Sequence, residues 1–324
     1  MRPTEETAIL TIADVREAPE GDAIECVFNE RQQIYTLPRA ARAREAAQGG
    51  LRAALDANAP VRAVLNPRRG VVERVAELSA PELREFEETR ILLENPEKTM
   101  RIDVSAIDPT TFNIVDYYLK VPIFKLCTKV IPSYKVAKDI FDFCAAQSCN
   151  LPGPPAITNC IPFQYVRDGC YARAHKMRQI IEDQYGYCCE KVFSFALGGD
   201  RLAVRANKWG GCCVTWWYHV APLVRVHVRI KLLFVTLDFE LAMVIDPGMF
   251  DKPVLLSTWL AAQEDKSCAS NAKVTRYSIQ PGSAYWPADG SGTTFGTDPT
   301  YTLTEATLID YKNLTTCPRS RALS

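Results

Sequence analysis

The sequence predicts an α+β protein built from two parts. A chain of 324 residues is longer than most single compact domains, and its 47% apolar content is enough for a sizeable core. Strand and helix patterns alternate over the first 95 residues, which hold a single cysteine, Cys26, and no histidine. All three histidines and all five tryptophans come after Cys127, so we expect any chemistry in the second part.

The N-terminal part is predicted to be a small α+β module. Its hydrophobic patterns predict strands and helices, namely strands at 8–15, 23–28, 32–37, 61–65 and 71–75 and helices at 38–57 and 81–93. Pro38 suits the first position of a helix. Ser79 is the expected N-cap of the second helix, and Glu82 stands at the spacing of a capping box. This module offers no candidate catalytic group.

A connector is predicted over residues 96–125. Prolines that follow Asn95, Asp108 and Val121 interrupt any helix there. Long connectors between domains are the segments that proteases cut most easily. We therefore divide the chain into an N-terminal domain over 1–95, a connector with a processing site, and a catalytic domain over 126–324.

Charge and cysteine content set the expected compartment and partners. The formal net charge is zero, which gives no general attraction to nucleic acid or to an anionic membrane. The apolar runs are shorter than the roughly 20 residues that a membrane-spanning helix needs. Twelve cysteines are typical of an exported, disulfide-bonded protein. We expect secretion, with Met1 replacing a removed signal peptide; the alternative is a cytosolic protein with reduced thiols.

A cysteine at the start of a predicted helix is the candidate nucleophile. Residues 168–181 form a turn that enters a helix, with Asp168 as the expected N-cap and Gly169 allowing a tight entry. Cys170 then lies in the first turn, where the helix dipole stabilises a thiolate. The alternative is a disulfide, which position alone favours. Cys149 and Cys160 could close a short disulfide loop.

The base and its partner are sought on a later β-rich run. His219 and His227 would lie about 26 Å apart on a continuous strand, so one of them at most can serve Cys170. A hairpin that turns after Leu232 places His219 opposite Asp246, whose carboxylate can orient an imidazole. The remaining histidine, His175, is expected to be a packing or surface residue.

The blocks around Cys170, His219 and Asp246 carry a family resemblance. Residues 168–180, Asp-Gly-Cys-Tyr-Ala-Arg-Ala-His-Lys-Met-Arg-Gln-Ile, closely resemble the active-site helix of the bacterial protein-glutaminases, which deamidate glutamine in proteins. The other matching blocks are Cys189-Glu190-Lys191, Cys212-Cys213-Val214, Trp216, Tyr218-His219-Val220-Ala221 and Ile245-Asp246-Pro247. The resemblance implies a papain- or transglutaminase-like α+β fold with a Cys-His-Asp triad and no cofactor. It makes Cys170 the nucleophile, His219 the base and acid, and Asp246 the residue that orients the imidazole.

The resemblance also implies a proenzyme. Weaker matches to the pro-domain of the family lie at Gln33-Ile34-Tyr35, 60–67 and 82–86, and 126–132 resembles the start of the mature enzyme. We therefore expect a monomer whose pro-domain inhibits it in cis until a protease removes it, and whose substrates are proteins with exposed glutamine. The stretch from His219 to Asp246 is longer than the family pattern. Residues 108–121 resemble an insertion, so the position of the processing site does not follow from the resemblance.

Four further residues are candidates for substrate contacts. Trp216, Trp217 and Tyr218 could wall the substrate slot, although buried core is the commoner fate of such a run. Gln33 lies on a predicted pro-domain strand, where it could enter the cleft as a substrate mimic; the alternative is an exposed strand glutamine. The main-chain N–H of Cys170 is an expected oxyanion donor.

Other classes of protein remain open from the sequence. A papain-like protease or a transglutaminase uses the same triad, and a disulfide-rich binding module would pair Cys170. A metal site is disfavoured because the vicinal pairs Cys188-Cys189 and Cys212-Cys213 lack the Cys-x-x-Cys spacing that lets two thiolates bind one zinc ion. With Cys170 free, an odd number of cysteines remains, and Cys26 is the expected unpaired one.

Overall fold

The structure is a computed structural model that describes residues 5–19, 23–37, 41–89, 100–103, 127, 129–153, 155–232 and 235–314. Mixed sheets and helices make it an α+β fold, as predicted. Its buried apolar residues form two clusters, one within the N-terminal part and a larger one built mainly from the remainder of the chain, which Val27 also joins. Among the described residues, no helix is both long and apolar enough to cross a membrane.

The N-terminal part is a six-stranded sheet with two helices. Its elements are β1 (Glu6–Leu10), β2 (Ile12–Glu17), β3 (Ile24–Phe28), β4 (Tyr35–Thr36), α1 (Ala41–Asp56), β5 (Val61–Asn66), β6 (Val71–Glu77) and α2 (Ala80–Thr89). The strands are ordered β1-β5-β6-β4-β3-β2. Tyr35, Leu51 and Val61 are among the side chains that fill its core. Pro38 and residues 90–93 of the predicted helices lie outside the described residues.

Two local features of this part follow from single polar contacts. The main-chain N–H of Thr11 donates to the Glu30 carboxylate, 2.9 Å away, which interrupts the predicted strand 8–15 and divides it into β1 and β2. Ahead of α2, the Glu82 carboxylate accepts from the main-chain N–H of Ser79 at 3.0 Å and from its hydroxyl at 2.5 Å. The predicted pairing of Ser79 with Glu82 is confirmed.

The second part is built around one buried helix. Its strands are β7 (Met100–Asp103), β8 (Glu190–Phe195), β9 (Leu202–Ala206), β10 (Cys212–Trp216), β11 (Tyr218–Leu232), β12 (Val235–Val244), β13 (Val254–Leu255), β14 (Arg276–Gln280), β15 (Ala284–Pro287) and β16 (Phe295–Thr297). Its helices are α3 (Tyr134–Ala146), α4 (Cys170–Tyr185), α5 (Leu256–Ala261) and α6 (Thr302–Tyr311). Helix α4 packs against β11 and α6, and its first eight residues are all buried.

The main sheet of this part has the order β13-β12-β11-β8-β14-β7. Strand β7 belongs to the predicted connector, and it pairs antiparallel with β14 at the edge of the sheet. Residues 96–99 and 104–125 of that connector lie outside the described residues.

The register of the β11–β12 hairpin differs from the predicted one. Leu232 pairs with Val235 and Leu223 with Val244, which shifts the partner of every β11 residue by two positions. The predicted face-to-face register of His219 with Asp246 is therefore wrong. Strand β12 ends at Val244, so Asp246 lies in the loop that follows it and is not held by strand pairing.

The disulfides lie in the second part. Cys127 pairs with Cys188, Cys149 with Cys160 as predicted, and Cys213 with Cys268, while Cys212 is also disulfide-bonded. Among the described cysteines, four are free and buried: Cys26, Cys144, Cys170 and Cys189. The prediction that Cys26 is unpaired is confirmed. Disulfide pairing of Cys170 is excluded in this structure.

His175 is a fully buried packing histidine. Its Nδ1 lies 2.6 Å from the Lys191 ammonium and its Nε2 lies 3.0 Å from the carbonyl oxygen of Asp298. Burial, and next the positive charge of Lys191, lower the pKa of His175 to about 2. The imidazole is therefore neutral in the folded chain, where it accepts a hydrogen bond from Lys191.

This neutral histidine should make the fold sensitive to mild acid. Its folded pKa is lowered from 6.5, so below pH 6.5 the unfolded chain binds a proton that the folded chain does not. The His175 contribution should cost about 2 kcal/mol of unfolding free energy between pH 6.5 and pH 5. His175→Gln should lose correspondingly less stability over that interval in urea unfolding. His227→Gln is the matched control, and an equal pH dependence in the His175→Gln and parent chains would contradict the assignment.

Candidate active site

The start of helix α4 is fixed by a glycine. Gly169 occupies the N-cap with a φ of 77°, in the left-handed region that favours glycine. A Cβ on this residue would also lie 2.7 Å from the ring of Tyr311. Asp168, the expected N-cap, stands one residue earlier, and its carboxylate accepts from the main-chain N–H of Gly169 at 2.9 Å. Gly169 therefore sets the direction in which Cys170 enters the helix.

Cys170 is covered in this form of the chain. The residue is only 1% exposed. Burial raises the pKa of its thiol well above the ordinary value. The Arg173 guanidinium and a hydrogen bond from the Val220 main chain lower this pKa by less than burial raises it. The expected stabilisation of a thiolate by the helix dipole is outweighed by burial here. Cys170 is accordingly a neutral thiol while the site is closed.

His219 is held from three directions. Its Nε2 lies 2.9 Å from Oδ2 of Asp246, and its ring is stacked between the indoles of Trp216 and Trp259, at centroid distances of 4.6 and 5.4 Å. The Trp259 indole N–H donates to the same carboxylate oxygen of Asp246 at 2.9 Å. Burial would raise the pKa of Asp246, but the hydrogen bonds from His219 and Trp259 hold it below its usual value.

The second ring nitrogen of His219 is available for chemistry. Its Nδ1 is buried, with no hydrogen-bond partner among the described residues. Because α4 packs against β11, Cys170 and His219 lie on neighbouring elements. An imidazole oriented through Nε2 by a carboxylate can exchange a proton through Nδ1. The arrangement can therefore support a thiol nucleophile with general acid–base assistance.

A glutamine from the N-terminal part is hydrogen-bonded to the main chain of Cys170. The side-chain oxygen of Gln32 accepts from the main-chain N–H of Cys170 at 2.8 Å, and its Nε2 lies 3.5 Å from the carbonyl oxygen of Val166. Gln32 is fully buried. A side-chain carboxamide is thus held at the first N–H of the helix that carries the thiol.

The candidate Gln33 has a different environment. Its main chain forms an isolated antiparallel bridge with Trp216, and its side-chain nitrogen donates to the carbonyl oxygen of Pro67 at 3.2 Å. Successive side chains in an extended segment point to opposite sides. The side chain of Gln33 therefore stays within the N-terminal part, whereas that of Gln32 enters the site.

The three aromatic candidates are all buried, but they have different contacts. Trp216 stacks on His219 and donates from its indole to the carbonyl oxygen of Val166 at 3.0 Å. The indole N–H of Trp217 donates to the carbonyl oxygen of Arg31 at 2.8 Å. The main-chain N–H of Trp217 donates to the carbonyl oxygen of Gln32 at 3.2 Å. Tyr218 lies in the aromatic core beside Trp217 and Phe193. Trp216 and Trp217 both contact the inserted segment through their main chains, Trp216 at Gln33 and Trp217 at Gln32.

Sequence reasoning missed Gln32 and Trp259. The pair Gln32-Gln33 carried a usable signal, since strand alternation allows only one of two adjacent side chains to enter a cleft, but it does not tell which. Trp259 lies on the short helix α5 and no pattern links it to Asp246. Groups of three or more His, Cys, Asp or Glu side chains arranged to hold a metal ion are absent from the described residues.

Comparisons with known proteins show which family the chain resembles. Residues 137–263 match a protein-family model described as glutaminase. The crystal structure of a pro-protein-glutaminase is 26% identical over 98% of this chain and 96% of its own, with a TM-score of 0.68. The crystal structure of a mutant of pro-protein-glutaminase is 27% identical over 98% of this chain and 97% of its own, with a TM-score of 0.66. The NMR structure of protein-glutaminase from Chryseobacterium proteolyticum is 34% identical over 60% of this chain and 95% of its own, with a TM-score of 0.48.

The chain belongs to the protein-glutaminase family. Both pro-protein-glutaminase structures align with nearly the whole chain, including its N-terminal part. The expected proenzyme fold, a protein-glutaminase core preceded by a small α+β pro-domain, is confirmed. No curated protein sequence gives a significant match.

The contacts of Gln32 predict how well the pro-domain shields the thiol of this protein-glutaminase relative. Gln32→Ala removes the hydrogen bond to the Cys170 N–H and empties the space that the carboxamide fills beside this residue. Iodoacetamide should then alkylate Cys170 in the uncut, non-reduced chain roughly 2- to 10-fold faster, the effect expected from losing one hydrogen bond. Peptide mapping by mass spectrometry measures the rate at Cys170 alone.

Gln33→Ala is the matched control, since it alters the neighbouring residue and leaves the contacts of Gln32 in place. Its alkylation rate should equal that of the parent chain. Faster labelling in Gln33→Ala than in Gln32→Ala would contradict the assignment of Gln32 as the residue that shields Cys170.

Proposed function

We propose that this chain is a latent protein-glutamine deamidase that hydrolyses the side-chain amide of protein-bound glutamine to glutamate and releases ammonia. The observation that carries the proposal is the carboxamide of Gln32, whose oxygen accepts from the Cys170 N–H. The chemical group that the reaction consumes is thereby held at the candidate nucleophile. Membership of the protein-glutaminase family and likeness to two pro-forms support the same activity.

Cys170, His219 and Asp246 form the proposed catalytic triad. His219 removes the thiol proton, and the Cys170 sulfur attacks the side-chain carbonyl carbon of the substrate. The resulting oxyanion collapses, the C–N bond breaks, and His219 gives its proton to the departing nitrogen, which leaves as ammonia. Water activated by His219 then attacks the thioester, which yields glutamate and restores the thiol. Asp246 orients the imidazole and stabilises it when it is protonated.

The oxyanion site is proposed from the position of the Gln32 oxygen. That oxygen lies 2.8 Å from the Cys170 main-chain nitrogen, at the positive end of helix α4. A donor fixed by the backbone needs no rearrangement as negative charge develops on the oxygen. The Cys170 N–H is accordingly the proposed oxyanion donor.

The substrate-mimic hypothesis moves by one residue, from Gln33 to Gln32. The Gln33 side chain is bonded to Pro67 within its own part of the chain, and the Gln32 side chain occupies the site. Trp217 is retained as a proposed substrate-binding residue because it contacts the mimic through its main chain. Trp216 is reassigned as a positioning residue, because its ring supports His219.

The same contacts support the proposed division of the chain. Residues 1–95 are the proposed inhibitory pro-domain, 96–125 the connector that an activating protease cuts, and 126–324 the catalytic domain. Insertion of Gln32 explains inhibition in cis, since a protein substrate and the pro-domain would compete for one site. We further propose that the protein is secreted and monomeric; its disulfides are consistent with an oxidising compartment.

Ammonia release from a casein-like, glutamine-rich protein tests the proposed function. The full chain should release little ammonia before limited proteolysis and much more after it, without cleaving or crosslinking the substrate. Cys170→Ala should abolish release after the same proteolysis, because the thioester cannot form. Crosslinked product would indicate a transglutaminase and substrate fragments a protease. Undiminished ammonia release by Cys170→Ala would contradict the proposed nucleophile.

A further inference from the structure

The main chain of Gln32 is held on both sides of its side chain. Its N–H donates to Oδ1 of Asp168 at 3.1 Å, and its carbonyl oxygen accepts from the main-chain N–H of Trp217 at 3.2 Å. The side-chain oxygen accepts from the Cys170 N–H in between. The catalytic part thus contacts the backbone of this glutamine as well as its side chain.

Asp168 is built into the catalytic part and does not depend on the inserted segment for its position. It is fully buried. The N–H of Gly169 donates to Oδ1 at 2.9 Å, and the hydroxyl of Tyr311 donates to Oδ2 at 2.9 Å. From the N-terminal part it receives the Gln32 N–H and, at 3.6 Å, the guanidinium of Arg31.

Release of the N-terminal part removes both of those partners and leaves the rest in place. The Asp168 carboxylate is then left with an acceptor position that no protein donor fills, so the open site favours a ligand that supplies an N–H at this point. Likewise, the Trp217 N–H loses its acceptor and favours a ligand with a carbonyl oxygen there. The open site therefore calls for a hydrogen-bond donor on one side of the target side chain and an acceptor on the other.

We propose that Asp168 and the main-chain N–H of Trp217 recognise the backbone of the target glutamine, with Asp168 accepting its N–H and Trp217 donating to its C=O. This inference rests on the proposed deamidation and names the feature that selects its substrates. The preferred class is a glutamine within an extended polypeptide. Free glutamine would bring a carboxylate to the Trp217 side, where burial of an extra charge against a single N–H is unfavourable.

The test replaces single atoms in the substrate. The reference is acetyl-Gly-Gly-Gln-Gly-amide; in the test peptide an ester oxygen replaces the glutamine N–H, and in the control peptide an ester oxygen replaces the N–H of the second glycine. The full chain, activated by limited proteolysis, is assayed for ammonia with each. The kcat/KM for the test peptide should fall roughly 10- to 100-fold, the loss expected for a hydrogen bond to a charged group, and that for the control should not change.

Variants of Asp168 separate recognition from a structural role. In Asp168→Ala the ratio of kcat/KM for the reference peptide to kcat/KM for the test peptide should approach one. Asp168→Asn, which retains an acceptor, should keep part of the preference for the reference peptide. A purely structural role would lower both rates equally and leave the ratio unchanged, which would overturn the proposal. Equal rates on the reference and test peptides with the parent chain would also overturn it. Absence of ammonia from the reference peptide would instead contradict the proposed function, and this inference with it.

Discussion

The main-chain N–H of Cys170 organises both the chemistry and the latency of this protein. The first N–H groups of an α-helix have no acceptor within the helix, and that of Cys170 finds one in the carboxamide of Gln32. Gly169 fixes the direction of this N–H through its left-handed conformation, and the ring of Tyr311 closes the space that any larger residue would need. The same donor serves the pro-domain in the closed form and the developing oxyanion in the proposed reaction.

In the proposed mechanism, burial keeps the assembled site latent. Burial raises the pKa of the Cys170 thiol, so the proposed nucleophile stays protonated although His219 and Asp246 are already hydrogen-bonded to each other. The inserted segment is part of the larger structure, since Val27 packs in the core of the second part. The proposed activation accordingly requires removal of this segment and no rebuilding of the site.

The sequence predicted the contact of His219 with Asp246 but not the geometry that produces it. The block around Cys170 and those around His219 and Asp246 carry strong local patterns, and these residues lie on adjoining elements in the structure. The hairpin register could not be predicted, because Leu232 and its neighbours contain no turn residues that would fix it. His219 meets Asp246 nonetheless, since the loop after β12 is shaped by the hydrogen bond from Trp259, a tertiary contact with no local signal.

The choice between Gln32 and Gln33 shows a second limit. Both lie in one extended segment, and their alternation is certain, but which of them faces the cleft depends on how the N-terminal part sits on Trp216 and Trp217. That placement comes from contacts more than 130 residues apart in the chain, such as the hydrogen bond of Gln32 to Asp168. Local patterns do not contain this information.

The central claim is that the Cys170 sulfur forms a thioester with the side chain of a protein-bound glutamine. Acid-quenched mass spectrometry of the activated chain, mixed with a glutamine peptide, tests it most directly. The account predicts an adduct on Cys170 with the mass of the peptide less that of ammonia, which decays as the deamidated peptide appears. Steady ammonia release with no adduct on Cys170, or with the adduct on another cysteine, would contradict it.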